Sequence, residues 1–569
     1  MPLGTSRVQP RVTARAAVAL VIVCTMTVAA TSTARAAGRA QGVGKPPAGT
    51  GIGTAAALNN PDCNRDAGAY GRFDFVYEGS GGVCVVPFKA GSKNGGASAQ
   101  GVTKDAIKLS VVTPNPQEAA SGMGTGIAMN RATGQNGLIS DAFVDTVAAF
   151  EHSYETWGRK VELAFVESTG TDEAAQRSDA LKVKQLKPFA MIDATVVGLD
   201  VLEATVAQDG VQVNGYAAST AKALKQAPYR WGQADSQASA INVAEFAGKQ
   251  LVGKKAQWAG DESFHSQPRK FATIYTQGVI DISGFDKEFA KYKGKSEQDF
   301  SYQSNGSPLG DPQLAQDAAP LIVQKLKALG VTSVVLFTDI GMTTAVLQQA
   351  TKQEYRPEWI ITGNQFQDVV FLARNYDQDQ WAHAFGISTV MPTVADGSIA
   401  VSPVAWYWGP NRGTEQSVVD AWLRWFFDGI QAAGPKLTAK TLQQGLFATP
   451  AQGGAATGQT IGGQTAYGRT AGLPYDEYMQ IGTDFAPVWY DKDTTDFSNI
   501  YPITGKGVQW YVDGGHRYAA GQWPKKPFAF FDKTGAIVKF PTRPASQVLT
   551  PCTGCPSDGG PGTPSNRSS

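Results

Sequence analysis

The sequence predicts an α/β protein of two lobes, each a parallel sheet flanked by helices, with a cleft between the lobes. Three observations carry this. Short buried strands alternate with amphipathic helices from Ile107 onward, the series runs twice, and low-complexity sequence is confined to the ends. Strands joined by helices of this length need crossover connections, which build parallel sheets covered on both faces.

The elements follow in chain order. Arg7, Arg11 and Arg15 open a basic start, residues 16–30 form an apolar run, and Ala34-Arg35-Ala36 offers a small-x-small cleavage site before Ala37. Residues 1–36 therefore read as a signal peptide, since the apolar run is short for a membrane-spanning helix. Cys24 raises a second reading, lipid attachment, but Val23 stands where a lipoprotein peptidase prefers a small residue. A soluble exported product is favoured, with a lipoprotein second. About 530 residues then remain, room for two to three domains.

Residues 38–54, 91–101 and 557–569 are rich in Gly, Ala, Ser and Pro and too poor in apolar side chains to order themselves. In the first series, strand 107–113 is followed by a helix whose apolar positions Ile139, Phe143, Val147, Phe150 and Tyr154 repeat at helical spacing. Strand 161–166, a helix that begins at Asp172 and ends before Pro188, strand 189–194, a helix over 199–208 and strand 211–216 follow. After a helix at 238–251, the second series reads as strand 256–259, helix 264–277, helix 320–329 with Pro320 near its first turn, and strand 333–338. It continues with helix 341–353, strand 359–362, helix 366–374 and strand 384–390. Val418, Trp422, Trp425, Phe426 and Ile430 make a helical stripe, read as a buried face. Segments 478–490 and 508–518 read as strands, with Asp513-Gly514-Gly515 as a hairpin turn.

Charge excludes some functions. Fifty basic residues balance 49 acidic ones, which leaves no footprint for nucleic acid. His152, His265, His383 and His516 are far apart and lack zinc-ligand spacing, so no metal or cofactor is expected. Gly79-Ser80-Gly81 lacks a nucleophile elbow, and the glycines 122, 124 and 126 lack the lysine of a phosphate loop. No catalytic set stands out, so an enzyme such as a secreted hydrolase is the weaker reading. Four cysteines survive signal removal, an even number suited to an oxidising compartment. Cys63 with Cys84, and Cys552 with Cys555 in the coil-like tail, are the expected disulfides.

The stretch Gly101-Val102-Thr103-Lys104-Asp105-Ala106-Ile107-Lys108 resembles the opening of substrate-binding proteins of branched-chain amino-acid type ABC importers, where G-V-T-x-x-x-I-K leads into the first strand. Asn94-Gly95-Gly96-Ala97 and the Cys63/Cys84 segment resemble the N-terminal extension of the actinobacterial branch. The resemblance runs from about residue 101 to 353 and, more weakly, to 523. It implies the type I periplasmic-binding fold, two Rossmann-like lobes with the ligand between them. The lobes are expected at 101–250 with 395–475 and at 251–394 with 476–544. Residues 37–100 form a linker and extension, and 545–569 a tail.

The resemblance also implies a site. Ala218-Ser219-Thr220 is similar to the family's S-A-T-x-P-x-L loop, with Ala218 and Thr220 offered to a ligand carboxylate. Read bare, the same residues are a helix-capping loop. Thr195 matches another family hydroxyl, although Asp193-Ala194 replaces the usual Gly-rich approach. Asp261-Glu262-Ser263-Phe264 looks like the D-x-x-Y-G loop, with Phe264 in place of the tyrosine. Asp339 and Asn364 stand where ligand-facing polar groups are placed, Asp339 to pair an ammonium or to cap a helix. The implied role is capture of a small polar ligand, an amino acid or related amide or carboxylate, for the membrane permease of an ABC importer; an extracellular sensor is the alternative.

Overall fold

The structure, a computed structural model, describes residues 44–61, 63, 74–75, 79–80, 82–115, 139–195, 198–215, 220–304, 310–394, 403–408, 417–458, 463–470, 472–481, 483–499, 503–541 and 555–556. The first sheet holds β1 (Ala106–Thr113), β2 (Lys160–Glu167), β3 (Ala190–Asp193), β4 (Gln212–Gly215) and β5 (Arg230–Ala234), all parallel, in the order β2-β1-β3-β4-β5. The second holds β6 (Phe271–Thr276), β7 (Ser296–Tyr302), β8 (Ser333–Phe337), β9 (Glu358–Ile361) and β10 (Ala384–Ser388), again parallel, in the order β7-β6-β8-β9-β10. The same doubly wound order has thus been built twice. In such sheets the strand order reverses beside the first strand, and a crevice opens at the carboxyl ends there.

Local sequence explains the elements. Every residue of β3, β8, β9 and β10 is buried, as expected of central parallel strands covered on both faces. At the edge, β2 exposes Lys160, Glu162 and Glu167, charges that blunt an open edge. Asp172 caps α2 (Glu173–Leu186) by accepting from the amides of Ala174 and Ala175, and Lys187 ends it in the left-handed region before Pro188. Gly101 of the G-V-T stretch is also left-handed, and a Cβ there would lie 2.2 Å from the Phe189 nitrogen. That close approach requires glycine and ties the motif to the start of β3.

The first core joins Phe143 and Phe150 of α1 (Ile139–Ser153) to Trp422, Trp425, Phe426 and Ile430 of α9 (Ser417–Ala433), so the aromatic stripe is core packing as expected. The helix α5 (Ser236–Gln250) follows β5 yet covers the second sheet, where Val243 and Phe246 pack with Phe271, Val335, Ile360 and Phe385.

Several expectations need correction. Segment 256–259 is not a strand, and 264–277 is not a helix: a 3-10 turn (Glu262–Phe264) precedes β6. Phe271, Ile274 and their neighbours are buried on both faces, so strand alternation is absent and helical spacing is mimicked. Pro320 lies inside α7 (Pro312–Ala328), which starts earlier at the cap Asp311. Between β6 and α7, the helix α6 (Ile282–Ala290) and β7 were not anticipated.

Segment 478–490 divides between sheets. β11 (Met479–Ile481) lies parallel to β5, whereas β12 (Asp484–Phe497) runs antiparallel to β10. Asp513-Gly514-Gly515 is not a hairpin turn, because β13 (Thr504–Tyr511) before it and β14 (Tyr518–Ala519) after it both pair with β12. Three successive left-handed residues interrupt one strand edge without reversing the chain.

Stretch 91–101 is ordered despite its composition. The buried Arg159 guanidinium donates to the carbonyls of Asn94, Gly96, Thr103 and Pro435, and the Asn94 amide donates to Lys104 and Trp157 carbonyls. A single buried cation organises a loop that hydrophobicity alone could not. Cys63 and Cys84 form a disulfide, as expected. Cys552, Cys24 and the signal segment lie outside the described residues. Among the described residues, no helix is long and apolar enough to cross a membrane.

Candidate functional site

Among the described residues the chain passes between the sheets three times, and the first and third passages join carboxyl edges. β5 ends at Ala234 in the first sheet, and α5 begins two residues later against the second. β10 ends at Ser388, after which the helix Pro403–Trp408 packs on α1. β11 ends at Ile481, and β12, antiparallel to β10 with Ser388 opposite Ala486, starts at the carboxyl edge of the second sheet. The two carboxyl edges therefore confront one another, and the polar residues there form the candidate site.

Asp235 is the centre of the first passage. Fully buried, it caps α5 by accepting from the amides of Gln237 (2.8 Å) and Ala238 (3.0 Å), and it also accepts from the hydroxyls of Thr220 and Tyr475, the latter at 2.8 Å. Glu477 lies beside it, buried, with its Oε1 accepting from the Met479 amide. Burial, reinforced by Asp235, pushes the Glu477 carboxyl well above the usual carboxylate range. The same causes raise the Tyr475 phenol.

The remaining residues flank this knot. Thr195, just past β3, directs its amide and hydroxyl to Asp193 Oδ1 at 3.0 and 2.7 Å, while Asp193 Oδ2 accepts from Leu199. Across the crevice, Asn364 donates to Ser239 Oγ at 2.7 Å, and Ser239 donates to the Thr362 carbonyl at 2.8 Å. Asp339 caps α8 (Ile340–Lys352) through Met342 N, accepts from Ser304 Oγ at 2.8 Å, and its own amide donates to the Tyr302 hydroxyl. Burial raises its carboxyl above the ordinary value. Gln365 and Phe366, after Asn364, are both left-handed, a strained backbone of the kind that clusters at ligand sites.

Thr195, Thr220, Asp339 and Asn364 are thus all placed at the facing carboxyl edges. Ala218 and Ser219 lie outside the described residues. Phe264 is elsewhere: it meets Tyr355 edge-on at 6.3 Å, before β6 and β9 begin, at the amino edge of the second sheet. The segment 256–259, expected as the strand before it, is instead part of the loop that leads into β6. Sequence reasoning missed Asp235, Tyr475 and Glu477; the Asp-Ser-Gln capping signal after β5 could have flagged Asp235.

The chemistry on this surface is that of buried acceptors. Thr195 and Thr220 already donate their hydroxyls to Asp193 and Asp235, and further buried carboxyls, Asp339, Asp368 and Glu477 among them, lie at the same edges. Among the described residues no group of three or more His, Cys, Asp or Glu side chains is arranged to hold a metal ion. A separate groove of about 960 Å³, lined by Phe88, Lys104, Glu151 and Glu155 among others, lies at the amino edge of the first sheet, away from this chemistry.

The α/β architecture expected from the sequence, parallel sheets flanked by helices and built twice, is the one observed. No family model and no curated protein matches the chain. Solved structures do. The solute-binding protein of an ABC transporter from Rhodopseudomonas palustris BisB5, in complex with 3,4-dihydroxybenzoic acid, is 12% identical over 71% of this chain and 97% of its own, with a TM-score of 0.42. A fatty acid ABC transporter substrate-binding protein from Thermomonospora curvata is 13% identical over 74% of this chain and 95% of its own, with a TM-score of 0.44. An ABC transporter substrate-binding protein from Desulfitobacterium hafniense, in complex with Leu, is 12% identical over 73% of this chain and 100% of its own, with a TM-score of 0.40.

Proposed function

We propose that the chain is an extracytoplasmic solute-binding protein that captures a small polar ligand between its lobes and hands it to the permease of an ABC importer. One observation carries the reading: two sheets of identical strand order meet at their carboxyl edges, where buried polar groups from both sides converge on the passages between lobes. Ligands bind in that position in open α/β sheets. No bond-making step is assigned to any residue.

The ligand class follows from the acids. A ligand entering near Asp339 and Asp235 meets acceptors, so we propose an ammonium or amide donor, with Asp339 as its partner. A carboxylate on the same ligand would be received by the Ala218-Ser219-Thr220 loop at the start of α4 (Thr220–Lys225), as in an amino acid. Asn364 and Thr195 complete the polar contacts. Export by cleavage after Ala36 belongs to the same proposal.

A thermal-shift screen against amino acids, amides and small carboxylates tests it, because a ligand that binds only the folded chain raises its melting temperature. Stabilisation by amine- or amide-bearing compounds, lost in Asp339→Ala, is expected. Stabilisation by none of the classes refutes the ligand assignment. An extracellular sensor built on the same fold would bind equally well, and uptake of labelled ligand with the neighbouring permease separates the two.

A further inference from the structure

A second pocket, of about 290 Å³, lies at the amino edge of the second sheet, lined by Gln250, Lys254, Trp258, Arg269, Phe528 and Phe530 together with exposed Lys255, Gln257 and Pro527. It is at the far end of that sheet from the crevice, since Lys254, Trp258 and Arg269 all precede β6. We propose that this pocket binds a small organic anion with a flat apolar body, an aromatic carboxylate in chemical class, with Lys254 as the cation that receives the carboxylate.

Charge, wall and rigidity each support this. Arg269 is already neutralised: its Nε and Nη2 donate to the two oxygens of buried Glu358 at 2.7 and 2.8 Å, and its guanidinium lies 5.0 Å from the Trp258 ring centre. Lys254 has no such partner. It is half-buried, no carboxylate among the described residues pairs with it, and burial together with nearby Arg269 lowers its pKa. A cation held there without a counter-charge is relieved when an anion enters. The walls beside it are aromatic, Phe530 meeting Trp258 edge-on at 5.4 Å and Phe528 at 5.9 Å. Inorganic phosphate would lose hydration against these rings and gain nothing from them, whereas a planar ring gains area and edge-to-face contacts.

The pocket is also preformed. Backbone pairing of residues 254–256 with 267–269 sets Lys254 beside Arg269, through Arg269 N to Lys254 O at 3.1 Å and Ala256 N to Gln267 O at 3.0 Å. The Gln250 side chain pins the opposite wall, donating to the carbonyls of Pro524 and Lys526 and accepting from the Phe528 amide. The volume is near the lower bound of ligand pockets, about 300 Å³, which restricts the occupant to a single small ring.

Phenylacetate, with acetate and inorganic phosphate as comparison anions, is the probe. Calorimetry on the full exported chain is expected to show saturable phenylacetate binding, and the ligand is expected to slow reductive methylation of Lys254, followed by peptide mass spectrometry. Lys254→Gln should weaken phenylacetate about tenfold or more, the scale of one charge-assisted hydrogen bond, and Lys254→Arg should restore most of it. Asp235→Asn should leave phenylacetate affinity unchanged, which separates this pocket from the crevice. The proposal is overturned if phenylacetate leaves Lys254 methylation unaltered, if Lys254→Gln binds as the parent does, or if only Asp235→Asn weakens binding. Equal protection by acetate or phosphate overturns the aromatic class.

Discussion

Asp235→Ala is expected to be among the most destabilising single substitutions in the chain. The carboxylate caps α5 and receives two hydroxyls from segments distant in sequence, Thr220 and Tyr475. Loss of the cap costs about 1 kcal/mol, and each stranded buried hydroxyl a further ~1 to 3 kcal/mol. Together these make a loss of about 3 kcal/mol or more. That is a large share of the roughly 5 to 15 kcal/mol that holds a domain folded. Asp235→Asn keeps an acceptor for the cap and for Thr220, and the Tyr475 hydroxyl turns to accept from its amide, so a loss of only about 1 kcal/mol is expected. Urea unfolding followed by tryptophan fluorescence, at neutral pH and without ligand, measures both. The order Ala far below Asn below parent is the prediction. An alanine variant within about 0.5 kcal/mol of the parent, the range of inconsequential surface changes, would refute the claim that Asp235 holds the first passage together.

Arg517 and Asp484, both fully buried, pair at 3.0 Å at the third passage, and Arg517 also donates to the Thr389 carbonyl at the second. Arg517→Met should cost about 3 to 5 kcal/mol, and Arg517→Met with Asp484→Asn clearly less than the sum, in a double-mutant denaturation cycle. Removing the Cys63–Cys84 disulfide, which spans 21 residues, by Cys→Ser at both positions should lower stability by about 3 kcal/mol; non-reducing peptide maps of the parent should show that pairing and no cross-pairing to Cys552 or Cys555. Glu203 is buried on Arg230 at 2.7 Å, with its carboxyl pushed up to about 8 chiefly by burial. A raised folded-state value means its contribution is fully present below the unfolded value of 4.5 and is lost as pH rises towards 8. Glu203→Gln should therefore flatten the decline of stability over that window, measured by melts across pH. A mature chain beginning at Ala37 is expected by mass spectrometry of exported protein, whereas a lipidated Cys24 at its start would establish the lipoprotein reading.

The repeated α/β order was legible because each strand of the first series is bounded by a cap or breaker that acts locally: Asp172 before α2, Pro188 before β3, Gly210 before β4. Where the signal was one of burial on both faces, as in β6, periodicity could not separate strand from helix, and that error assigned Phe264 to the crevice although it lies at the opposite edge. The ordering of 91–101 was illegible for a different reason: its organiser, Arg159, lies more than fifty residues away and acts through backbone carbonyls that carry no side-chain signature.

The site shows the same division. That Thr220 opens a helix at a strand end could be read from Ala-Ser-Thr, but the direction of its hydroxyl could not, since it depends on Asp235 fifteen residues on and on Tyr475, 240 residues beyond Asp235. Motif resemblance assigns Thr220 as a donor to the ligand; the structure spends that proton on Asp235. Under the proposed function, a ligand therefore has to supply donors of its own to the crevice, or displace Thr220 from Asp235 and meet the capping loop's backbone amides instead. These alternatives differ in one observable. If Thr220 stays with Asp235, Thr220→Val lowers stability by about 1 kcal/mol and leaves affinity unchanged; if the ligand takes the hydroxyl, affinity falls as well. Calorimetry of Thr220→Val beside its unliganded melt decides which group the ligand meets on the first lobe.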